Sequence, residues 1–165
     1  VVFKATYIGD MVRPTFEYEN KPVKAAGLLV WTESKGKKWT LFRKYKGKWS
    51  DMGGKTDAVD NNIIDTVVRE VCEETNNSLF CKDDKDCASK VRDMLAASLH
   101  GNKMVYVPKC KYLLFHCRCD DIFDLSLSRF GVAEQKLAHQ YGWFTAPPRP
   151  IHFRLRALRD DLINP

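Results

Sequence analysis

Ile64, Val67, Val68 and Val71 recur at i, i+3, i+4 and i+7 between Asp60 and Asn76, the spacing of an amphipathic helix with one buried stripe. Asp60, Asn61 or Asn62 can cap its start, because a short polar side chain accepts hydrogen bonds from the first free backbone N–H groups. Glu70, Glu73 and Glu74 fall at i, i+3 and i+4 and project to one side of the same helix. Three carboxylates that close repel one another, and hard divalent cations with oxygen ligands relieve the repulsion most simply. Just upstream, Gly53-Gly54 lets the backbone turn tightly and approach a ligand closely.

Residues 53–76 resemble the signature of the Nudix hydrolase family, G-x5-E-x7-R-E-U-x-E-E-x-G-U with U apolar. Gly54 matches the first glycine, and Arg69, Glu70, Val71, Glu73 and Glu74 match the R-E-U-x-E-E core in register. The chain departs from the signature at three places. Asp60 stands where the upstream glutamate is expected, eight residues rather than seven separate it from Arg69, and Asn76-Asn77 replaces the final G-U pair. The resemblance implies an α/β (α+β) fold, an αβα sandwich around a central mixed sheet. It implies hydrolysis of a phosphoanhydride with Mg2+ or Mn2+ held by Glu70, Glu73 and Glu74, and with the Gly53 carbonyl completing a shell. Either Glu74 or Glu70 is the expected general base. Arg69 is the expected orienting residue, paired with Asp60. Many family members add a ligand or base from a later loop, where Glu134 is the candidate and His139 a second one.

The length of 165 residues suits a single domain, residues 1–165, and 44% hydrophobic residues supply a full core. No apolar run approaches the ~18–20 residues of a membrane-spanning helix. The net charge of +6 favours anionic partners: nucleic acid, phosphorylated small molecules or an acidic membrane surface. Lys44, Lys46, Lys48 and Lys55 surround the approach to the acidic stretch and are expected to bind substrate phosphates or an RNA backbone. Trp31, Trp39, Trp49, Tyr45 and Phe144 are candidates for stacking a nucleobase. The six cysteines contain no C-x-x-C pair, so zinc is weakly signalled. Cys81 and Cys87 flank an acidic loop and could bridge in an oxidising compartment, whereas Cys117 and Cys119 share one strand face and belong to the core.

Along the chain, residues 1–21 read as an N-terminal strand or hairpin and Lys24 to Trp31 as a buried strand. Lys35 to Lys38 reads as a hairpin turn. In the following strand Trp39, Leu41, Arg43 and Tyr45 face one way, and Thr40, Phe42 and Lys44 the other. Leu79-Phe80 reads as a short strand and residues 81–103 as an insertion carrying a helix. Met104 to Arg118 is strand-rich, Tyr141 to Thr145 is a strand, and His152 to Ile163 has helical spacing.

These features point to a metal-dependent pyrophosphohydrolase acting on a nucleoside diphosphate linked to another group. Capped mRNA, cleaved with release of m7GDP, is the preferred substrate, because Trp49 to Lys55 resembles the Gly-Gly-Lys entrance of viral and effector-type decapping Nudix proteins. Small nucleotides, nucleotide sugars and inositol pyrophosphates are the alternatives, and a non-catalytic binding module is the alternative of another class. The first residue, Val1, and the six cysteines suit a secreted, matured effector acting in a host cytoplasm, or otherwise a cytoplasmic protein. No membrane partner is expected.

Overall fold

Three two-residue turns organise the strands. Glu19-Asn20, Lys35-Gly36 and Lys46-Gly47 each place both central residues at positive φ, the twist that closes a tight antiparallel hairpin. The computed structural model describes residues 3–8, 11–81, 84–98, 103–122 and 140–156. At the N-terminus, β1 (Phe3–Ile8), β2 (Met11–Tyr18) and β3 (Lys21–Val23) form an antiparallel sheet in the order β1-β2-β3, in line with the hairpin expected there.

The main sheet contains β4 (Ala25–Ser34), β5 (Lys37–Tyr45), β6 (Lys48–Ser50), β7 (Met52–Lys55), β8 (Lys103–Val107), β9 (Tyr112–Arg118) and β10 (Gln140–Phe144). Its central path is β10-β5-β4-β9-β8, with β6 on β5 and β7 on β4. The β4–β9 pair is parallel and the others are antiparallel, so the sheet is mixed, as expected. Both faces are buried. Ala26, Leu28, Val30, Leu41, Leu113, Phe115 and Cys117 face one core, and Leu29, Phe42, Tyr112 and Leu114 face the other.

The first core lies under α1 (Ile63–Glu74) and α2 (Cys87–Ser98). Helix α1 buries Ile63, Val67, Val68 and Val71, while Ile64 is only partly buried. Each fully buried aliphatic side chain contributes about 1.5–3 kcal/mol. Asn62, one of the three capping candidates, caps α1 by accepting the Asp65 N–H at 3.0 Å. At the other end Asn76 and Asn77 have φ of 55° and 53°. The Asn77 N–H reaches the Cys72 carbonyl at 2.8 Å and the Asn76 N–H reaches that of Glu73 at 3.3 Å. This left-handed cap normally uses glycine, and asparagine is the side chain that tolerates it best, which accounts for the asparagine pair at the end of the signature.

Two local expectations change. Leu79-Phe80 joins no strand; Leu79 is fully buried and anchors a bend between the helices. The inserted helix is α2, but its first residue, Cys87, packs on α1, with its Sγ 3.3 Å from that of Cys72. Cys81 is exposed and neither it nor Cys87 forms a disulfide, so the acidic loop holds no Cys81–Cys87 bridge. The second core is closed by residues 151–156, including the short α3 (Phe153–Arg156), whose Leu155 is fully buried. The remainder of the expected C-terminal helix lies outside the described residues. Among the described residues no helix is long and apolar enough to cross a membrane.

His116 of β9 is 2% exposed, and its Nε2 has no hydrogen-bond partner among the described residues. Burial, reinforced by the charges of Lys38 and Lys103, lowers its pKa to about 3. Above pH 6.5 both folded and unfolded chains keep this ring neutral. Between 6.5 and about 3 the unfolded chain binds a proton that the folded chain refuses, so stability falls by about 1.4 kcal/mol per pH unit. His116→Phe is expected to remove that slope. Urea melts between pH 7 and 4 check it, and an unchanged slope contradicts it.

Candidate active site

At one end of the main sheet, β5 contributes Arg43, β7 contributes Gly53 and Gly54, and α1 contributes Arg69, Glu70 and Glu74. Arg43 shares a face of β5 with Leu41, as alternation requires, and so points at α1 instead of solvent. Its Nη2 lies 3.1 Å from Glu74 Oε1, and its Nε donates to the Asp51 carbonyl at 3.5 Å. Glu74 Oε2 accepts the Gly53 N–H at 3.0 Å. The close backbone approach expected of the glycine pair is therefore made by an N–H to a carboxylate. Gly54 leaves room for Glu70, since a Cβ there would sit 2.5 Å from Glu70 Oε1. Tyr141 of β10 donates its hydroxyl to the Glu74 carbonyl and ties the last turn of α1 to the sheet.

Glu74 is 4% exposed. Burial pushes its carboxyl well above the usual range; the Arg43 charge opposes this only in part, and neighbouring Glu70 and Asp51 add to the rise.

Arg69 makes the pair anticipated from the sequence. Its Nε donates to Asp60 Oδ1 at 3.1 Å and its Nη2 to Oδ2 at 3.0 Å, a two-pronged contact. The same guanidinium reaches Glu70 Oε1 at 3.0 Å, Glu73 Oε2 at 3.5 Å and the Lys55 carbonyl at 2.9 Å. Asp60 is 3% exposed and also accepts the Thr66 hydroxyl and the Asp57 N–H, each at 2.8 Å. Asp60→Ala leaves Thr66 and Asp57 without their acceptor and Arg69 without its main anchor. The expected loss is about 2–4 kcal/mol, measured by urea denaturation. A change within ~0.5 kcal/mol would show the clamp to be dispensable.

A second network was not anticipated. Asp51 is fully buried and accepts Arg154 Nη2 at 2.7 Å, Arg154 Nε at 2.9 Å, Ser50 Oγ at 2.9 Å and the Tyr112 hydroxyl. Burial would raise its pKa. The Arg154 charge and the hydrogen bonds from Tyr112, Ser50 and Arg154 outweigh burial and hold the carboxyl below its usual value. Gly27 is required beneath them, because a Cβ there would overlap the Tyr112 hydroxyl and the Asp51 carboxylate. The guanidinium of Arg154 lies over the Tyr112 ring, 4.5 Å from its centroid.

A cavity of about 540 Å3 opens beside these groups. Glu70 and Glu74 form its acidic wall, and Arg13, Arg43, Lys46, Lys48, Lys55 and Arg154 supply its cations. Of the sequence candidates, Glu70, Glu74, Gly53, Lys46, Lys48 and Lys55 are brought together here. Glu73 does not line the cavity; it stands to the side, against Arg69. Lys44 points to the opposite face of β5, where it lies over the Trp49 ring. Tyr45 lines the cavity, whereas Trp49 and Phe144 pack edge-to-face in the second core with centroids 4.8 Å apart. Trp31 lies between Lys38 and Arg118, beside His116. Glu134 and His139 lie outside the described residues. Arg43 had a sequence signal, an arginine on the apolar face of a strand. Asp51 and Arg154 had none, because their contact spans about a hundred residues.

No set of three or more His, Cys, Asp or Glu side chains is arranged as a metal centre among the described residues. The donor chemistry of the cavity nonetheless fits Mg2+ or Mn2+. Its carboxylates are hard oxygen donors facing one cavity, and Mg2+ is commonly held by one or two carboxylates together with substrate phosphates.

No family model matches the chain, and no curated protein matches it. Among solved structures it is similar to the Ap4A hydrolase of C. elegans, at 19% identity over 74% of this chain and 80% of that one, with a TM-score of 0.42. A binary complex of a C. elegans Ap4A hydrolase matches over the same shares at 23% identity, with a TM-score of 0.37. Likeness at this level assigns no function, and any functional reading rests on the geometry of the cavity.

Proposed function

We propose that this chain is a Nudix-type hydrolase, dependent on Mg2+ or Mn2+, that cleaves a phosphoanhydride in a nucleoside-diphosphate-linked substrate. One observation carries the reading. Glu70 and Glu74, a turn apart on α1, open into a cavity whose other charged walls are all cationic. Such a site attracts a polyanion and still keeps carboxylates for a cation and a proton.

Glu70, with Glu74 and the substrate's own oxygens, would hold the ion, and Gly53 and Glu73 stand next to that set. When bound, the ion neutralises phosphate charge and acidifies water. Glu74 is the general base: burial keeps its pKa above that of an exposed carboxylate, closer to working pH. Arg43 and the Gly53 N–H fix its two oxygens. Arg154, locked on Asp51, presents a rigid cation to phosphate oxygens. Arg69 acts as the positioning residue for Glu70.

Within this class we put capped RNA first. Lys46, in the turn between β5 and β6, and Lys48, the first residue of β6, line the cavity and supply cations that suit an RNA backbone. A panel of capped RNA, cap analogue, nucleotide sugars, nucleoside triphosphates and inositol pyrophosphates, each with Mg2+ or Mn2+, tests the reading. The expected result is release of m7GDP from capped RNA, abolished by a chelator. Rapid turnover of a small nucleotide instead would move the substrate while keeping the class. Binding without turnover of any member would indicate a non-catalytic module.

A further inference from the structure

Only Val59 and Phe153 are large hydrophobic side chains exposed to solvent among the described residues, Phe153 to 55%. Phe153 is nevertheless rigidly placed. The Trp49 N–H donates to the Pro150 carbonyl at 2.8 Å and the His152 N–H to the Trp49 carbonyl at 2.7 Å, which fastens residues 150–152 to β6. The ring of Phe153 leans on that of His152, with centroids 4.5 Å apart and planes at 33°. A single exposed ring is ordinary by itself; what distinguishes this one is the cavity it borders.

Phe153 borders a cavity of about 730 Å3. Pro14, Ala25, Cys110 and Tyr112 give it apolar walls, and Thr15 and Thr56 provide a few polar groups. That is the constitution of a small-molecule pocket. It adjoins the acidic cavity: Arg13, Gly54, Lys55, His152 and Arg154 line both. A molecule with its phosphates on Arg154, Arg13 and Lys55, the cations common to both cavities, can place its far end beside Phe153.

We propose that this larger cavity binds the nucleobase of the substrate, with Phe153 as the stacking platform. The proposal rests on the hydrolase reading for the position of the phosphates, and it deepens that reading by selecting nucleotides over inositol pyrophosphates. An inositol phosphate carries no planar ring and leaves the exposed aromatic without a use. A nucleobase of any kind offers a π face, and base–aromatic stacking contributes about 1–3 kcal/mol, equivalent to roughly 5- to 150-fold in affinity. The neighbouring His152 has its pKa lowered, chiefly by burial and then by Arg154, so at neutral pH its ring joins the platform uncharged.

Calorimetric titration without added metal tests this independently of turnover, with ADP, GDP and ribose 5-diphosphate as probes. The wild-type chain is expected to bind ADP and GDP roughly 5- to 150-fold more tightly than ribose 5-diphosphate. Phe153→Ala should remove most of that advantage while leaving ribose 5-diphosphate unaffected, and Phe153→Trp should retain it. Equal affinity for the three probes, no measurable binding of the nucleotides, or equal weakening of all probes by Phe153→Ala would overturn the proposal. If phosphoanhydride hydrolysis persists while the nucleobase advantage is absent, this assignment fails and the hydrolase reading stands. If the advantage is present and no substrate turns over, the hydrolase reading fails and the pocket stands.

Discussion

Glu74→Gln is expected to lower kcat for phosphoanhydride hydrolysis roughly a thousandfold while leaving the chain folded. The amide keeps the shape and can still accept the Gly53 N–H, but it cannot take a proton from water. Stability should change little, because two effects oppose each other. The substitution removes the cost of an ionised carboxyl that burial pushes upward, and it deprives Arg43 of a charged partner. The pH dependence separates them. Glu74 has a folded pKa above its unfolded value of 4.5. Between those values the folded chain holds a proton that the unfolded chain has released. The stabilising contribution of the protonated group is thus complete below 4.5 and is lost as pH rises through the folded pKa. Glu74→Gln should flatten that segment of the stability profile. In the wild-type chain a base at Glu74 requires the rate to rise with pH as the carboxyl loses its proton, and Glu74→Gln should remove that rise. Steady-state rates and urea melts across pH measure both; a variant that keeps wild-type kcat would remove Glu74 as the base.

The second large effect is expected at Asp51. Asp51→Asn preserves the side chain's size but leaves Arg154 with no counter-charge at a largely buried position, where its side chain is 14% exposed. Breaking a buried pair from one side costs about 3–5 kcal/mol. Arg154 then no longer points reliably at substrate phosphates, so KM should rise more than kcat falls. Combining Asp51→Asn with Arg154→Met should recover part of the stability, since neither charge is then stranded, but none of the affinity. Denaturation and steady-state kinetics on the two single variants and the double variant check this. Strict additivity of the two stability losses would show that the residues do not act as a pair.

The contrast between these two sites shows what the sequence made legible. Glu70, Glu74, Arg69 and Asp60 lie within one helix and the turn before it, so their spacing and the family signature placed them together; the structure brings Asp60, Arg69 and Glu70 into contact and sets Glu74 on the cavity wall beside Glu70. The strand at Lys24 to Trp31 followed from local pattern, and the mixed sheet from the resemblance to the family. Glu73 was grouped with the other glutamates because i, i+3 and i+4 share a helix side. A step of three residues nevertheless turns it toward Arg69 and away from the cavity wall that Glu70 and Glu74 share. Lys44 was grouped with Lys46 and Lys48 by nearness in sequence, although strand alternation already sets it opposite Arg43. Asp51, Tyr112 and Arg154 meet across three separate segments, and no local period reports such an encounter. Cys87 was matched with Cys81 across a loop, whereas helix packing brought it to Cys72.

Manganese binding followed by electron paramagnetic resonance, on the wild-type chain and on Glu70→Gln with Glu74→Gln combined, tests the central claim most directly. The account predicts saturable uptake of Mn2+ by the wild type, strengthened by a nucleoside diphosphate and abolished in the double variant. Equal uptake by both chains, or none by either with nucleotide present, would contradict it.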